Sequence, residues 1–129
     1  MTTIFTRPAL MAALIALTGV AHAETAGDAT KGAALFATHC SECHSVKEGK
    51  DKKGPSLYGI LGAKAALREG FKYSDALKSS QIVWNAETLS RYAAAPRAVV
   101  PGGKMKYDGL ADAAERADLI AYLAAQGKR

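Results

Sequence analysis

Cys40-Ser41-Glu42-Cys43-His44 is the stretch of this sequence whose residue types and spacing amount to chemistry. Two thiols two residues apart, followed at once by an imidazole, read as a site of covalent haem attachment. One turn of helix, continued tightly, carries both thiols to the two vinyl groups on one side of a porphyrin. His44 then points its imidazole at the iron. Three bonds from one short segment fix the position and tilt of the ring.

Other chemistry fits these residues less well. A Cys40–Cys43 disulfide would close a tiny loop and stabilise little. A thioredoxin-like redox pair needs a βαβ setting, and no segment here alternates apolar and polar residues for more than a few positions. A tetrahedral zinc site needs four well-separated ligands, and His39, Cys40, Cys43 and His44 are too crowded for that.

The sixth iron ligand follows by elimination. His39 adjoins Cys40 and cannot easily reach across a porphyrin. Met105 lies far along the chain, in a stretch rich in glycine and proline that can wrap to the other face. A lone methionine is often core filler. Gly102, Gly103, Lys104 and Lys106 make a poor setting for that role, so Met105 is assigned to the iron.

Helices must hold these groups. Asp28 caps a helix running to about Cys40, with Ala33, Leu35, Phe36 and His39 roughly on one face. Gly32 allows a second helix to approach closely. Residues 45–54 form a lysine-rich loop, and residues 55–62 a turn-rich connection. A short helix follows Ser74. Another begins after Asn85 and stops before Pro96, because the residue before a proline avoids the helical region. Residues 96–110, with Pro96, Pro101, Gly102, Gly103 and Gly109, read as a long loop, of a length that in a compact domain is either functional or disordered. The last helix has capping-box spacing at Asp112 and Glu115 and an apolar stripe of Leu119, Ile120 and Leu123. Gly127 ends it, with Lys128 and Arg129 beyond.

The start of the chain reads differently. Arg7 is the only charge before Glu24, Ala9 to Val20 is an apolar run, and Ala21-His22-Ala23 is a small-x-small cleavage pattern. Residues 1–23 are therefore expected to be a secretory signal peptide, cut after Ala23. The run is too short to span a bilayer, which takes about 20 apolar residues. The expected location is the periplasm, with no membrane span after cleavage. Bacterial c-type haem is attached outside the cytoplasm, which agrees.

The whole chain has 129 residues, room for one small domain. Hydrophobic residues are 49%, enough for a core, and aromatics only 7%, which with abundant alanine favours helices over a sandwich or barrel. Two cysteines exclude a disulfide scaffold. A net charge of +5 is a mild excess that suits docking to an acidic partner, not a grip on nucleic acid.

In order along the chain stand Gly32 and Phe36, Cys40 to His44, Gly54-Pro55, Tyr73, Trp84, Tyr92, Pro101-Gly102-Gly103-Lys104-Met105, and Leu119-Ile120-Ala121-Tyr122-Leu123. This ordered set resembles the class I c-type cytochromes, and most closely the short bacterial type that is similar to mitochondrial cytochrome c. The resemblance runs from about Gly27 to Gly127. It implies an all-α fold, with three main helices plus short helices and loops wrapped around one covalent haem c, over residues 24–129.

It also implies roles. The Pro55 carbonyl would accept a hydrogen bond from the ring nitrogen of His44 turned away from the iron. Tyr73 and Trp84 would bond to a haem propionate, and Tyr92 would approach the sulfur of Met105. Gly32 and Phe36 would pack on the last helix near Leu119 and Tyr122. Ala63, Leu77, Gly103 and Tyr107 depart from the mitochondrial pattern, which has an arginine, an asparagine, a threonine and a phenylalanine there. These departures thin the polar partners of the propionates. Lys52, Lys53, Arg97, Lys104 and Lys106 are candidates for a docking surface around the haem edge.

The expected function is that of a soluble monomeric electron carrier, not an enzyme. It would pass one electron from a quinol–cytochrome c reductase or periplasmic dehydrogenase to an oxidase, a reductase or a reaction centre. The alternatives are a haem peroxidase or gas sensor with a labile Met105, or a dedicated cytochrome subunit of a dehydrogenase.

Overall fold

The computed structural model describes residues 26–127. The expected signal peptide and the two residues after Gly127 lie outside the described residues.

Among the described residues five helices follow in order: α1 (Ala29–His39), α2 (Asp75–Ser79), α3 (Ala86–Ala94), α4 (Pro96–Val99) and α5 (Ala113–Ala124). Each longer helix starts at a side chain that takes up orphan backbone N–H groups. The Asp28 carboxylate accepts from Thr30 and Lys31 at the head of α1. Asn85 and Thr88 form a full capping box on α3. Asp112 accepts from the Glu115 N–H on α5. Ser74 caps α2 through the Leu77 N–H.

Two expectations need correction. Residues 96–110 are not loop throughout, because Pro96–Val99 closes a one-turn helix. Pro96 stops α3 by its effect on Ala95, then starts α4 itself, since a proline at the first helical position gives up no hydrogen bond. And α5 ends at Ala124, with Ala125 as its cap; Gly127, at φ +80°, turns the chain only afterwards.

The framework is the crossing of α1 and α5, the most extensive helix contact. Phe36 from α1, Leu119 and Leu123 from α5, and Leu110 form the buried cluster. The rings of Phe36 and Tyr122 meet at 5.5 Å, as expected for this pair of helices. Between α1 and α2 the chain is a run of turns. It is pinned by an isolated antiparallel bridge, Lys64 to Val83, among the described residues. Ala66 and Gln81 flank that bridge with φ of +57° and +55°, at a cost of about 1 kcal/mol each. No helix among the described residues is long and apolar enough to cross a membrane.

Candidate functional site

The end of α1 builds the site. The Phe36 carbonyl closes the helix: the Cys40 N–H donates to it as in a regular turn and the Ser41 N–H one residue further on, both at 2.9 Å. The Cys43 and His44 N–H groups then donate to the Cys40 carbonyl at 3.1 and 2.9 Å. This is the compact continuation that the Cys-x-x-Cys-His spacing requires. The lysine loop folds back onto it through Gly54 N–H to the Cys43 carbonyl, 2.8 Å. That return brings Pro55 to His44, whose Nδ1 lies 2.7 Å from the Pro55 carbonyl oxygen.

A carbonyl oxygen can only accept, so Nδ1 carries the proton and Nε2 keeps its lone pair. Burial holds the His44 pKa below the usual histidine range; the Pro55 bond opposes this and the nearby Lys52 charge adds to it. His44 is therefore a neutral imidazole with its proton placed, the form that ligates a metal. Burial, and then the neighbouring Cys43, pushes the Cys40 thiol up to about 11.

Gly54 is what lets the loop approach. A β-carbon there would stand 2.4 Å from His44 Cε1 and 2.8 Å from Nδ1. The neighbour is a packed ring, so Gly54→Ala must push the imidazole off the Pro55 carbonyl. The expected cost is about 1–3 kcal/mol of stability, as for other overpacked sites. A guanidinium unfolding midpoint at the wild-type value, with the ring N–H resonance of His44 still present by NMR, would contradict this.

The two cysteines and His44 face a cavity of about 820 Å³, inside the range of cofactor sites. Pro55, Tyr73, Trp84, Tyr92 and Met105 line the same cavity, so all eight residues singled out from sequence meet at one place. Trp84 is buried, and its indole packs on Tyr92 at 5.0 Å. Tyr73 meets Phe71 edge-on at 4.9 Å. Burial raises the Tyr92 hydroxyl above its ordinary range. The contact found for Tyr92 is with Trp84; both rings share the wall that Met105 completes.

Met105 reaches the cavity by a simple device. From Gly102 to Asp108 the chain alternates between exposed and half-buried positions, with Gly103, Met105 and Tyr107 turned in and Lys104, Lys106 and Asp108 turned out. Extended backbone presents successive side chains to opposite sides. Lys104 and Lys106 are thereby set at the rim.

Of the five docking candidates, Lys53, Lys104 and Lys106 lie at the cavity, whereas Lys52 and Arg97 do not. Lys52 donates to the Ser41 carbonyl, and Arg97 faces Asp108 at 3.7 Å. The structure also adds residues to the site. Leu119, Ile120 and Leu123 line the cavity as well as the helix contact, and Arg68 stands on its wall. The apolar stripe of α5 was visible in sequence, but its double use was not. Arg68 lies in a run of turns where no local pattern distinguishes it.

The donor set fits one iron porphyrin. Two thiols stand ready for thioether bonds, a neutral imidazole is held by its far nitrogen, and a thioether sulfur enters from a distant segment. Among the described residues, no group of three or more His, Cys, Asp or Glu side chains converges as a separate metal site.

Comparison with known proteins gives the same reading. The family model described as Cytochrome c matches residues 29–126. Cytochrome c of Gibberella zeae is 49% identical over 98 residues, covering 75% of this chain and 92% of that protein. Cytochrome c2 of Rhodopila globiformis is 45% identical over 97 residues, 75% of this chain and 92% of its own. Cytochrome c2 of Rhodomicrobium vannielii is 46% identical over 112 residues, 86% and 89% of the two chains.

Proposed function

The chain belongs to the cytochrome c family, electron-transfer proteins and not enzymes, with one haem c bound through Cys40 and Cys43, and from that premise we propose that it is a periplasmic one-electron carrier with His44 and Met105 as axial ligands. When bound, the haem supplies a ferric–ferrous couple. One observation carries the reading: Cys40, Cys43, His44 and Met105, drawn from two remote segments, line the same cavity.

The protein's own residues do the rest. Pro55 holds the proton on Nδ1 of His44, which fixes the ring and keeps Nε2 free to ligate. Leu119, Ile120, Leu123 and Trp84 make the walls apolar and exclude water, which favours the less charged ferrous state and raises the potential. Met105 would hold the iron through its thioether sulfur, leaving small molecules no easy entry. Lys104 and Lys106 at the rim steer an acidic partner toward the cavity mouth, whereas Lys53, also at the cavity, is paired with Glu42 at 2.5 Å. Docking of this kind is weak, which permits rapid turnover. The donor is a quinol–cytochrome c reductase or a periplasmic dehydrogenase, and the acceptor an oxidase, a reductase or a reaction centre. Residues 1–23 act as the export signal and residues 24–129 as the carrier domain, a monomer.

The test is the visible spectrum of the protein purified from periplasm, its amino terminus read from the same sample. A weak red sulfur-to-iron band in the ferric form, a ferrous spectrum indifferent to carbon monoxide, and a chain beginning at Glu24 are expected. Rapid carbon monoxide binding without the red band would mean an open iron site, and the carrier reading would give way to a peroxidase or sensor.

A further inference from the structure

One wall of the cavity is cationic. Lys64, Arg68 and Lys72 line it, with Glu69 as the only carboxylate between them. The two lysines are exposed. Arg68 is different, because its side chain is only 30% exposed and is held. Its Nε donates to Asp51 Oδ1 at 2.5 Å. Asp51 is fixed in turn by the Ser56 N–H at 2.9 Å, immediately after Pro55.

Asp51 does not line the cavity, whereas Arg68 does. Arg68 thus ties the cavity wall, which it lines, to Asp51, which stands off it. Its Nε edge is spent on Asp51, and its two terminal nitrogens have no hydrogen-bond partner among the described residues. The Tyr73 hydroxyl belongs to the same cluster. Burial pushes it up and the Asp51 charge adds to this, while the Arg68 N–H and guanidinium act against it.

A haem brings two carboxylates with it. Taking a carboxylate into a largely apolar cavity is costly unless donors or a cation meet it. A planar guanidinium offers two parallel N–H groups to one carboxylate, which an ammonium cannot. We propose that Arg68 binds a carboxylate of the haem, and that Asp51 is the positioning residue that turns the guanidinium toward the cavity. The reading rests on the placement of the haem proposed above.

Arg68→Leu, Arg68→Gln, Asp51→Asn and Lys72→Gln holoproteins test it, through the midpoint potential measured from pH 4 to 9. A carboxyl group that ionises near the iron makes the potential fall with rising pH around its pKa. Losing an adjacent cation raises that pKa by roughly 1–3 units. The step in the potential–pH curve should therefore move up by that amount in Arg68→Leu, with a lower potential at neutral pH. Arg68→Gln reports the same step if the leucine variant does not accumulate. Lys72→Gln makes the same charge change at an exposed site on this wall and should leave the step in place.

A purely structural clasp between Asp51 and Arg68 predicts something else. Both partners' variants would then lose thermal stability alike, and neither would move the step. That result, with the wild-type red band retained, overturns the proposal and leaves the haem placement standing. Loss of the covalent haem spectrum in the wild-type protein would instead overturn the placement itself, and the proposal with it.

Discussion

Gly32→Val is expected to leave little folded protein, and Gly32→Ala to lose at least about 2 kcal/mol. A β-carbon at this position would lie 2.0 Å from the Asp118 carbonyl oxygen and 2.7 Å from the β-carbon of Tyr122. The first obstacle is backbone on α5, so no rotamer change relieves it. The helices must separate, and their separation loosens Phe36 from Leu119 and Leu123, the buried cluster of the molecule. In isolation alanine would favour the helix by about 1 kcal/mol over glycine. Overpacking costs about 1–3 kcal/mol where side chains yield, and more where backbone must.

The contact is doubly anchored, which limits how far it can relax. The Asp28 N–H donates to the Asp118 carboxylate at 2.6 Å, one turn away from the Gly32 contact. Gly27 approaches Ala117 as closely, at 2.1 Å for a β-carbon placed there. Against a total stability of about 5–15 kcal/mol, separating this crossing is a large fraction. Guanidinium unfolding followed by circular dichroism measures the effect. A Gly32→Ala midpoint equal to wild type would show that the crossing is looser than the structure has it.

Gly32 also shows what kind of information the sequence carries openly. A glycine amid an otherwise good helix pattern has no local reason to be there, and a close approach supplies one. The ends of α1, α3 and α5 were legible for a similar reason. Asp28, Asn85 and Asp112 are cap residues that act within three positions of themselves. The one-turn helix at Pro96 was hidden because proline and glycine around it pointed to loop, while proline at the first helical position is equally at home.

Long-range pairings leave no such trace. Nothing near Asp51 announces Arg68, 17 positions on, and the pairing arises only because the Pro55 turn and the 63–73 segment come together. The site residues divide along the same line. Cys40, Cys43 and His44 announced themselves by spacing, and Met105 by elimination. Tyr73, Trp84 and Tyr92 rested on resemblance alone, and the structure brings all three to the cavity. Residue types in an aromatic-poor chain cannot say which face a ring turns to, so the pairing of Tyr92 with Trp84 was not foreseeable.

Met105→Ala is expected to convert a closed site into an open one. The ferric red band should vanish, and the ferrous form should bind carbon monoxide at neutral pH. The potential should fall by on the order of tenths of a volt, within the ~0.8 V that axial ligands span. The rival role for Met105 is packing, since its side chain is half-buried against the cavity. Alanine alone does not separate the two roles, because it removes sulfur and volume together. Met105→Leu does. Leucine fills nearly the same space at little cost in a core, yet it offers no lone pair to a metal. Ligation predicts that both variants lose the band, bind carbon monoxide and drop in potential, with leucine the more stable of the two. Packing predicts that leucine behaves as wild type. The alternating 102–108 segment makes this comparison clean. Gly103 and Tyr107 hold the inward register on either side, so leucine at 105 must enter the cavity where the sulfur did. A leucine variant with an intact red band and no carbon monoxide binding would remove Met105 from the iron and reopen the search for the sixth ligand.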